Sequence, residues 1–186
     1  MGGDRMRTLI NYAEEIYNAT AKATCGDLFA NEGVDLLAHR LKNIERVFMI
    51  GNGGSGAACD HMANDLCLAG VKAQSLTNTN NITCIANDFG FENIFAKQLE
   101  WLLIHQGSNM LIAFSCSGKS PNILKAIEVA RRHRMYVVTF SGFAKHNPLA
   151  AAGDMNFHVP SHSYGVVQLA HEALIHCAID KIAGHF

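Results

Sequence analysis

Short apolar runs alternate with longer stretches of helical periodicity along this chain. Five runs have the length of a buried strand, at 46–50, 73–76, 109–114, 135–140 and 155–159. Stretches whose apolar residues recur every three or four positions predict helices over 4–24, 27–42, 56–69, 81–86, 92–105, 121–130, 148–152 and 164–182. Strands that alternate with helices favour parallel pairing through right-handed crossovers. The expected fold is therefore α/β, a three-layer sandwich with a five-stranded parallel sheet flanked by helices.

No linker, repeat or low-complexity tract divides the sequence, so we expect a single domain over 1–186, with a helical pair at 1–43 and an α/β core at 44–186. Two helices before the first strand are more than a small sheet needs as cover. They are candidates for packing against another copy of the chain. An ordinary covering layer explains them equally well.

The stretch from Ser115 to Pro121 joins a predicted strand to a predicted helix. It carries three hydroxyls, a glycine and several backbone N–H groups that no strand or helix uses. Ser120 followed by Pro121 is a good helix start, with a hydroxyl cap and then proline at the first helical position. Because a helix N-terminus carries partial positive charge, this loop is a candidate phosphate site. A serine-rich loop with a good cap is the plainer alternative.

A second loop, Gly51–Ser55, also follows a strand and has three glycines that allow a sharp turn and a close approach to a ligand. It lacks the GxGxxG form and the Walker lysine, which argues against a nucleotide cofactor. Both loops should lie at the carboxyl edge of the sheet, where open α/β folds bind ligands.

Composition and charge exclude several classes of protein. Fifteen basic residues balance sixteen acidic ones, so there is no electrostatic case for nucleic acid. We read the basic cluster at 131–134 as a solvated helix end. The longest apolar runs have strand length, so no membrane span or signal peptide is expected. The six cysteines lack paired ligand spacing, and a reducing cytoplasm is the expected location.

The chain resembles the SIS-domain (sugar isomerase) family, whose fold is flavodoxin-like, and within it the phosphoheptose isomerases. These enzymes interconvert sedoheptulose 7-phosphate and an aldoheptose 7-phosphate. The stretches that carry the resemblance are Gly51–Ser55, His61–Leu66, Ile85–Phe91, Ser115–Ser120 and Gln168–His171 together with His176. Members of the family are typically homotetramers whose active sites are completed across subunit boundaries.

The resemblance also implies the roles of individual residues. Asp65 and His176 would be the acid/base pair. The residues implied in binding the phosphosugar are Asn52, Gly53, Gly54, Ser55, Asp65, Asn87, Asp88, Ser115, Cys116, Ser117, Ser120 and Gln168. The residues that match the set binding zinc in some members are His61, Asp65, Gln168 and His176.

The spacing of these four residues along the chain gives independent evidence about their role. His61 and Asp65 are four residues apart and share a helix face, and Gln168 and His176 are eight apart and share another. A divalent metal site and an acid/base pair both fit these groups. Most of the other histidines are read as ordinary core or surface residues, and His171 is left undecided.

Three hypotheses about function follow. The leading one is a phosphosugar ketose–aldose isomerase acting on sedoheptulose 7-phosphate. The second is an isomerase of another phosphosugar, because Ala69 stands where the heptose isomerases usually have arginine and Gly165 where an aspartate is common. The third is a non-catalytic protein of the same family that senses a phosphosugar or binds a partner. The presence of both His61 and His176 argues against the third.

Overall fold

The computed structural model describes residues 8–103 and 107–185. Its helices and strands alternate along most of the chain, as the periodicity predicts. The helices are α1 Leu9–Ala21, α2 Ala30–Leu41, α3 Gly54–Leu68, α4 Thr79–Phe89, α5 Ala96–Leu102, α6 Pro121–Arg132 and α7 Tyr164–Ala183. The strands are β1 Thr24–Cys25, β2 Leu28–Phe29, β3 Arg46–Gly51, β4 Ala73–Ser75, β5 Asn109–Ser115, β6 Tyr136–Ser141 and β7 Met155–His158.

The sheet runs in the order β2-β1-β7-β6-β5-β3-β4. Its five strands β4, β3, β5, β6 and β7 pair in parallel, which confirms the α/β prediction. The predicted count of five strands is wrong, because β1 adds antiparallel to β7 and β2 adds antiparallel to β1. Two-residue strands are too short to show an alternating pattern, so the sequence prediction places Thr24 at the end of the helix 4–24 and Leu28–Phe29 at the start of the helix 27–42.

Apolar side chains form one core on each face of the sheet. On one face, residues such as Met49 and Ile112 pack with residues of α2, α3 and α7. Phe114, Phe140 and Phe157 stack across the neighbouring strands β5, β6 and β7, with ring centroids 4.6 Å apart in both pairs. The other face packs under α4, α5 and α6. The sheet thus separates α3 and α7 from α4.

The predicted N-terminal helices form, but they begin and end differently. Thr8 caps α1 by accepting a hydrogen bond from the backbone N–H of Asn11 at 3.2 Å, and residues 4–7 lie outside the described part. Both α1 and α2 pack on α7, which makes them a covering layer. The large apolar side chains that α1 leaves exposed are those of Leu9, Ile10 and Tyr17.

Two further element predictions need correction. The stretch 148–152 is a turn rather than a helix, because the side chain of Asn147 accepts a hydrogen bond from the backbone N–H of Ala150 and holds the turn closed. The predicted helix 92–105 divides into a 3₁₀ turn at Phe91–Asn93 and α5, and residues 104–106 lie outside the described part. No helix of the described residues is long and apolar enough to cross a membrane.

Candidate active site

The loop that follows β5 holds its hydroxyl groups close together. Ser115 ends the strand, Ser120 is the cap residue of α6, and their hydroxyl oxygens lie 3.1 Å apart. Pro121 occupies the first helical position, as predicted. The Ser120 hydroxyl makes no capping hydrogen bond, so that part of the prediction is wrong. It faces its neighbouring serine instead and remains able to meet a ligand.

Glycine is required at position 118 of this loop. Gly118 has φ +65°, and a Cβ there would collide with the Asn147 side chain. The Gly118 carbonyl accepts a hydrogen bond from the backbone N–H of Leu149 at 3.1 Å. The Cys116 carbonyl accepts a hydrogen bond from the backbone N–H of Gly142 at 3.0 Å. The crossover from β6 to β7 therefore braces the loop in one conformation.

The glycine loop after β3 lies beside the serine loop, because β3 and β5 are neighbours in the sheet. The side-chain amides of Asn52 and Asn122 exchange two hydrogen bonds, of 3.0 and 2.7 Å. Burial raises the pKa of the Cys116 thiol, and the neighbouring Ser55 hydroxyl offsets this in part. The two loops form one polar surface at the carboxyl edge of the sheet, where the sequence placed them.

A groove lies between α3 and α7, which pack against one another. Three side chains of this groove form a cluster, His61 and Asp65 from α3 and His176 from α7. Asp65 Oδ2 lies 3.4 Å from His61 Nε2 and 3.7 Å from His176 Nδ1. The two imidazole rings meet edge to face, with centroids 5.1 Å apart. One ligand atom from each of these residues lies within 4.8 Å of the other two.

The chemistry of this triad of His61, Asp65 and His176 allows two uses. Two imidazole nitrogens and a carboxylate oxygen are typical ligands of zinc, and three protein ligands leave a position open for substrate. A carboxylate beside an imidazole also suits proton transfer. The side chains of Asp65 and His176 are 23% and 37% exposed, so both are open to a ligand. A cavity of about 560 Å³ lies beside them and is lined also by Ala69 and Asp180.

Gln168 lies at the end of the groove nearest the loops. A Cβ on Gly54 would stand 2.7 Å from Gln168 Oε1, so only glycine lets this amide lie against the start of α3. Gln168 precedes His176 by eight residues, which is about 12 Å along a helix. Gln168 and the triad thus lie along the same pair of helices, while the lining of the cavity beside the triad includes neither Gln168 nor the loops.

Asn87 and Asp88 occupy a different place. They lie exposed in the last turn of α4 rather than in a loop, and Asn87 Nδ2 donates a hydrogen bond to Asp88 Oδ1 at 2.7 Å. Since α4 packs on the face of the sheet opposite α3 and α7, a single chain does not bring this pair to the triad.

Two residues near the site had no clear signal in the sequence. Asn122 pairs with Asn52, which nothing in its neighbours indicates. His171, undecided from the sequence, is 1% exposed and its Nε2 lies 3.0 Å from the backbone oxygen of Ser141. Burial lowers the pKa of His171 to about 4, so this imidazole is neutral near pH 7.

Comparison with known proteins identifies the family of this chain. The SIS domain model matches residues 11–142. The phosphoheptose isomerase of Helicobacter pylori (strain P12) is 37% identical over 164 residues, which cover 83% of each chain. That of Shewanella sp. (strain W3-18-1) is 31% identical over 96% of this chain and 89% of its own. The structure of phosphoheptose isomerase GmhA from Neisseria gonorrhoeae superposes with a TM-score of 0.75 at 28% identity, covering 94% of this chain and 92% of its own.

Proposed function

This chain belongs to the SIS-domain (sugar isomerase) family, and on that premise we propose that it converts sedoheptulose 7-phosphate to D-glycero-D-manno-heptose 7-phosphate. The observation that carries the proposal is the 3.7 Å approach of His176 Nδ1 to Asp65 Oδ2 between α3 and α7. The phosphate loop is the segment 115–120 at the carboxyl edge of the sheet. The curated relatives named above are phosphoheptose isomerases, and they make the chain an aldose–ketose isomerase.

The reaction moves one proton between adjacent carbons. A base removes a proton from C1 of the ketose while an acid protonates the oxygen on C2, which gives an enediol. Return of a proton to C2, with loss of the proton from the oxygen on C1, then gives the aldose. Asp65 and His176 supply the acid and base between them. Positioned groups of this kind each contribute about 10²–10⁴-fold.

The two loops would hold the other end of the sugar. Ser115, Ser117 and Ser120 offer hydroxyls to a phosphate at the N-terminus of α6, and Cys116 adds its backbone N–H. The glycine loop, with Asn52, Gly53, Gly54 and Ser55, would line the adjacent part of the sugar. Binding energy from this remote phosphate orients the reacting carbons.

The distance along α3 from the glycine loop to the triad favours a long sugar over a short one. His61 follows Gly54 by seven residues, which is about 10 Å along α3, and Asp65 lies one turn further. An extended heptulose 7-phosphate also spans roughly 10 Å from C1 to its phosphorus, from standard bond lengths. A three-carbon phosphosugar held at the loop would not reach the triad.

We assign a metal role to the same triad. His61, Asp65 and His176 would hold a zinc ion. The family resemblance adds Gln168 as a further ligand from α7, and its amide, which lies against Gly54 in this structure, would have to turn toward the triad. When bound, the ion would act as a Lewis acid toward the carbonyl and enediolate oxygens. The donor types and their separation within 4.8 Å fit this ion.

Zinc is expected to raise the melting temperature of the purified, chelator-treated protein by about 5–10 °C at a hundredfold excess over its Kd, because it binds only the folded state. His61→Ala should lose most of this rise, and His133→Ala, which changes an exposed histidine outside the triad, should keep it. An equal rise in His61→Ala would remove the triad as the zinc site. Differential scanning calorimetry measures the shift.

Ser120→Ala is expected to raise KM about tenfold with kcat at saturation changed less than about twofold, because it removes a hydrogen bond to a charged group far from the reacting carbons. Ser108→Ala, at the amino edge of the sheet, is the matched control and should leave both constants unchanged. Steady-state kinetics separate the two constants. A large fall in kcat at saturating substrate would contradict the binding role.

Activity itself is tested by incubating the pure protein with sedoheptulose 7-phosphate and following aldose formation, with and without zinc. Parallel incubations with ribulose 5-phosphate and fructose 6-phosphate test for another phosphosugar as substrate. Turnover of a shorter sugar alone would overturn the heptose assignment. Binding without turnover of any of them would favour the non-catalytic hypothesis.

We also infer a homotetramer in the cytoplasm, built as a single domain over 1–186. The exposed Leu9, Ile10 and Tyr17 on α1 support packing against another copy. Assembly would also supply a route for Asn87 and Asp88 to reach a neighbouring subunit's site. All six cysteines are free thiols, as a reducing compartment allows.

A further inference from the structure

A second cavity, of about 290 Å³, lies outside the groove between α3 and α7. Its floor comes from β1 and β7, where Asn156 and His158 alternate with the core residue Phe157 and therefore lie on the opposite face of the sheet from α7. Its roof is the crossover segment 145–151. No residue that lines it belongs to the triad or to the phosphate loop.

The side chains of Asn156 and His158 make the floor of the cavity polar, and both already lie within hydrogen-bond distance of hydroxyls from β6. Thr139 lies beside Asn156 and Ser141 beside His158 in the parallel register of β6 and β7. The hydroxyl of Thr139 donates to Asn156 Oδ1 at 2.6 Å, and that of Ser141 lies 3.3 Å from His158 Nδ1.

The groups that Asn156 and His158 leave available to a ligand are hydrogen-bond donors. With Oδ1 of Asn156 engaged by Thr139, its Nδ2 is left as a donor in a residue that lines the cavity. In the tautomer in which Nδ1 of His158 accepts the Ser141 proton, and in the protonated imidazole, Nε2 carries a hydrogen that can be donated. His158 is only 6% exposed, so this donor sits in a largely buried position.

The roof adds positive charge above the floor. Lys145 and His146 both line the cavity. Burial is the main cause that lowers the pKa of His158, and the nearness of Lys145 and His146 lowers it further, so both residues lie close enough to act on the floor. Asp27 is the single carboxylate among the lining residues, and it lies exposed on the turn between β1 and β2.

We propose that this cavity binds a small oxyanion, a phosphate or carboxylate group, between Lys145 and His146 above and Asn156 and His158 below. Such a group only accepts hydrogen bonds, so it matches the donors of Asn156 and His158 on the floor. A cation would meet the ammonium of Lys145, and an apolar group would leave the buried donors unpaired.

The cavity adjoins the phosphate loop without being part of it. Asn147 is 5% exposed; its side chain closes the roof by bonding Ala144 and Ala150 and packs against Gly118 on its other side. The roof of the second site therefore also braces the loop. The proposal does not depend on isomerase activity, because binding can be measured without turnover.

Histidine side-chain NMR tests the proposal with inorganic phosphate and citrate as separate probes. The His158 resonance is assigned by its loss in His158→Gln. We expect it to shift with saturation on addition of at least one probe, which also identifies the oxyanion. Ser120→Asp places a carboxylate in the phosphate loop and excludes anions there, and the His158 shift should persist in it.

Lys145→Ala combined with His146→Ala should weaken the titration about tenfold or more, the loss expected for charged hydrogen-bond partners. Lys72→Ala, an exposed lysine near β4 at the far edge of the sheet, should leave it unchanged. The proposal is overturned if neither probe moves the His158 resonance. It is also overturned if the shift disappears in Ser120→Asp while the double variant keeps it, because the phosphate loop would then be the only anion site.

Discussion

His176→Ala is expected to lower kcat about a thousandfold while leaving phosphate binding intact. The reason is geometric: His176 contributes the imidazole 3.7 Å from Asp65, and removing one member of an acid/base pair costs about 10²–10⁴-fold. The phosphate loop lies outside the triad and should keep its affinity. Steady-state kinetics with sedoheptulose 7-phosphate and calorimetric titration with inorganic phosphate measure the two effects.

His185→Ala provides the matched control for this variant. His185 lines the same cavity but pairs with Asp180 at 3.4 Å rather than with the triad, so its removal should change kcat less than about threefold. Near wild-type turnover in His176→Ala would remove this residue from the mechanism. Equal losses in both variants would point to the shape of the cavity rather than to proton transfer.

The free energy of unfolding should fall by up to about 3 kcal/mol as the pH drops from 6.5 to 4, through His171 alone. Burial lowers the pKa of this imidazole from 6.5 to about 4 in the folded protein. Below pH 6.5 the unfolded chain takes up a proton that the folded chain refuses, so stability is fully present above 6.5 and is lost as the pH falls. Urea unfolding at a series of pH values measures the slope.

His171→Phe should flatten this slope, since phenylalanine takes up no proton and fits among the rings of Phe114 and Phe140. The variant loses some stability at every pH because the oxygen of Ser141 loses its partner. His133→Ala, an exposed histidine, should keep the wild-type slope. An unchanged slope in His171→Phe would show that other groups, such as His158, dominate the acid response.

The local pattern of apolar and polar residues was enough to predict the long, periodic elements of the fold. The five parallel strands and the start of α6 at Pro121 follow from apolar runs and cap chemistry within a few residues of each element. The strands β1 and β2 were missed because two residues carry no period. The turn at 148–152 was missed because Asn147 holds it through its side chain, and helical composition alone does not reveal that bond.

Sequence alone determined the two loops at the carboxyl edge and the pairing of His61 with Asp65, because neighbours four apart in a helix meet whatever surrounds the helix. The tertiary structure decided that His176, more than a hundred residues later, meets Asp65, since this depends on how α3 and α7 pack on the same core. It also decided the burial of His171 and the donors beneath Lys145. Contacts between distant segments are set by packing over the sheet, which the spacing of residues along the chain does not encode.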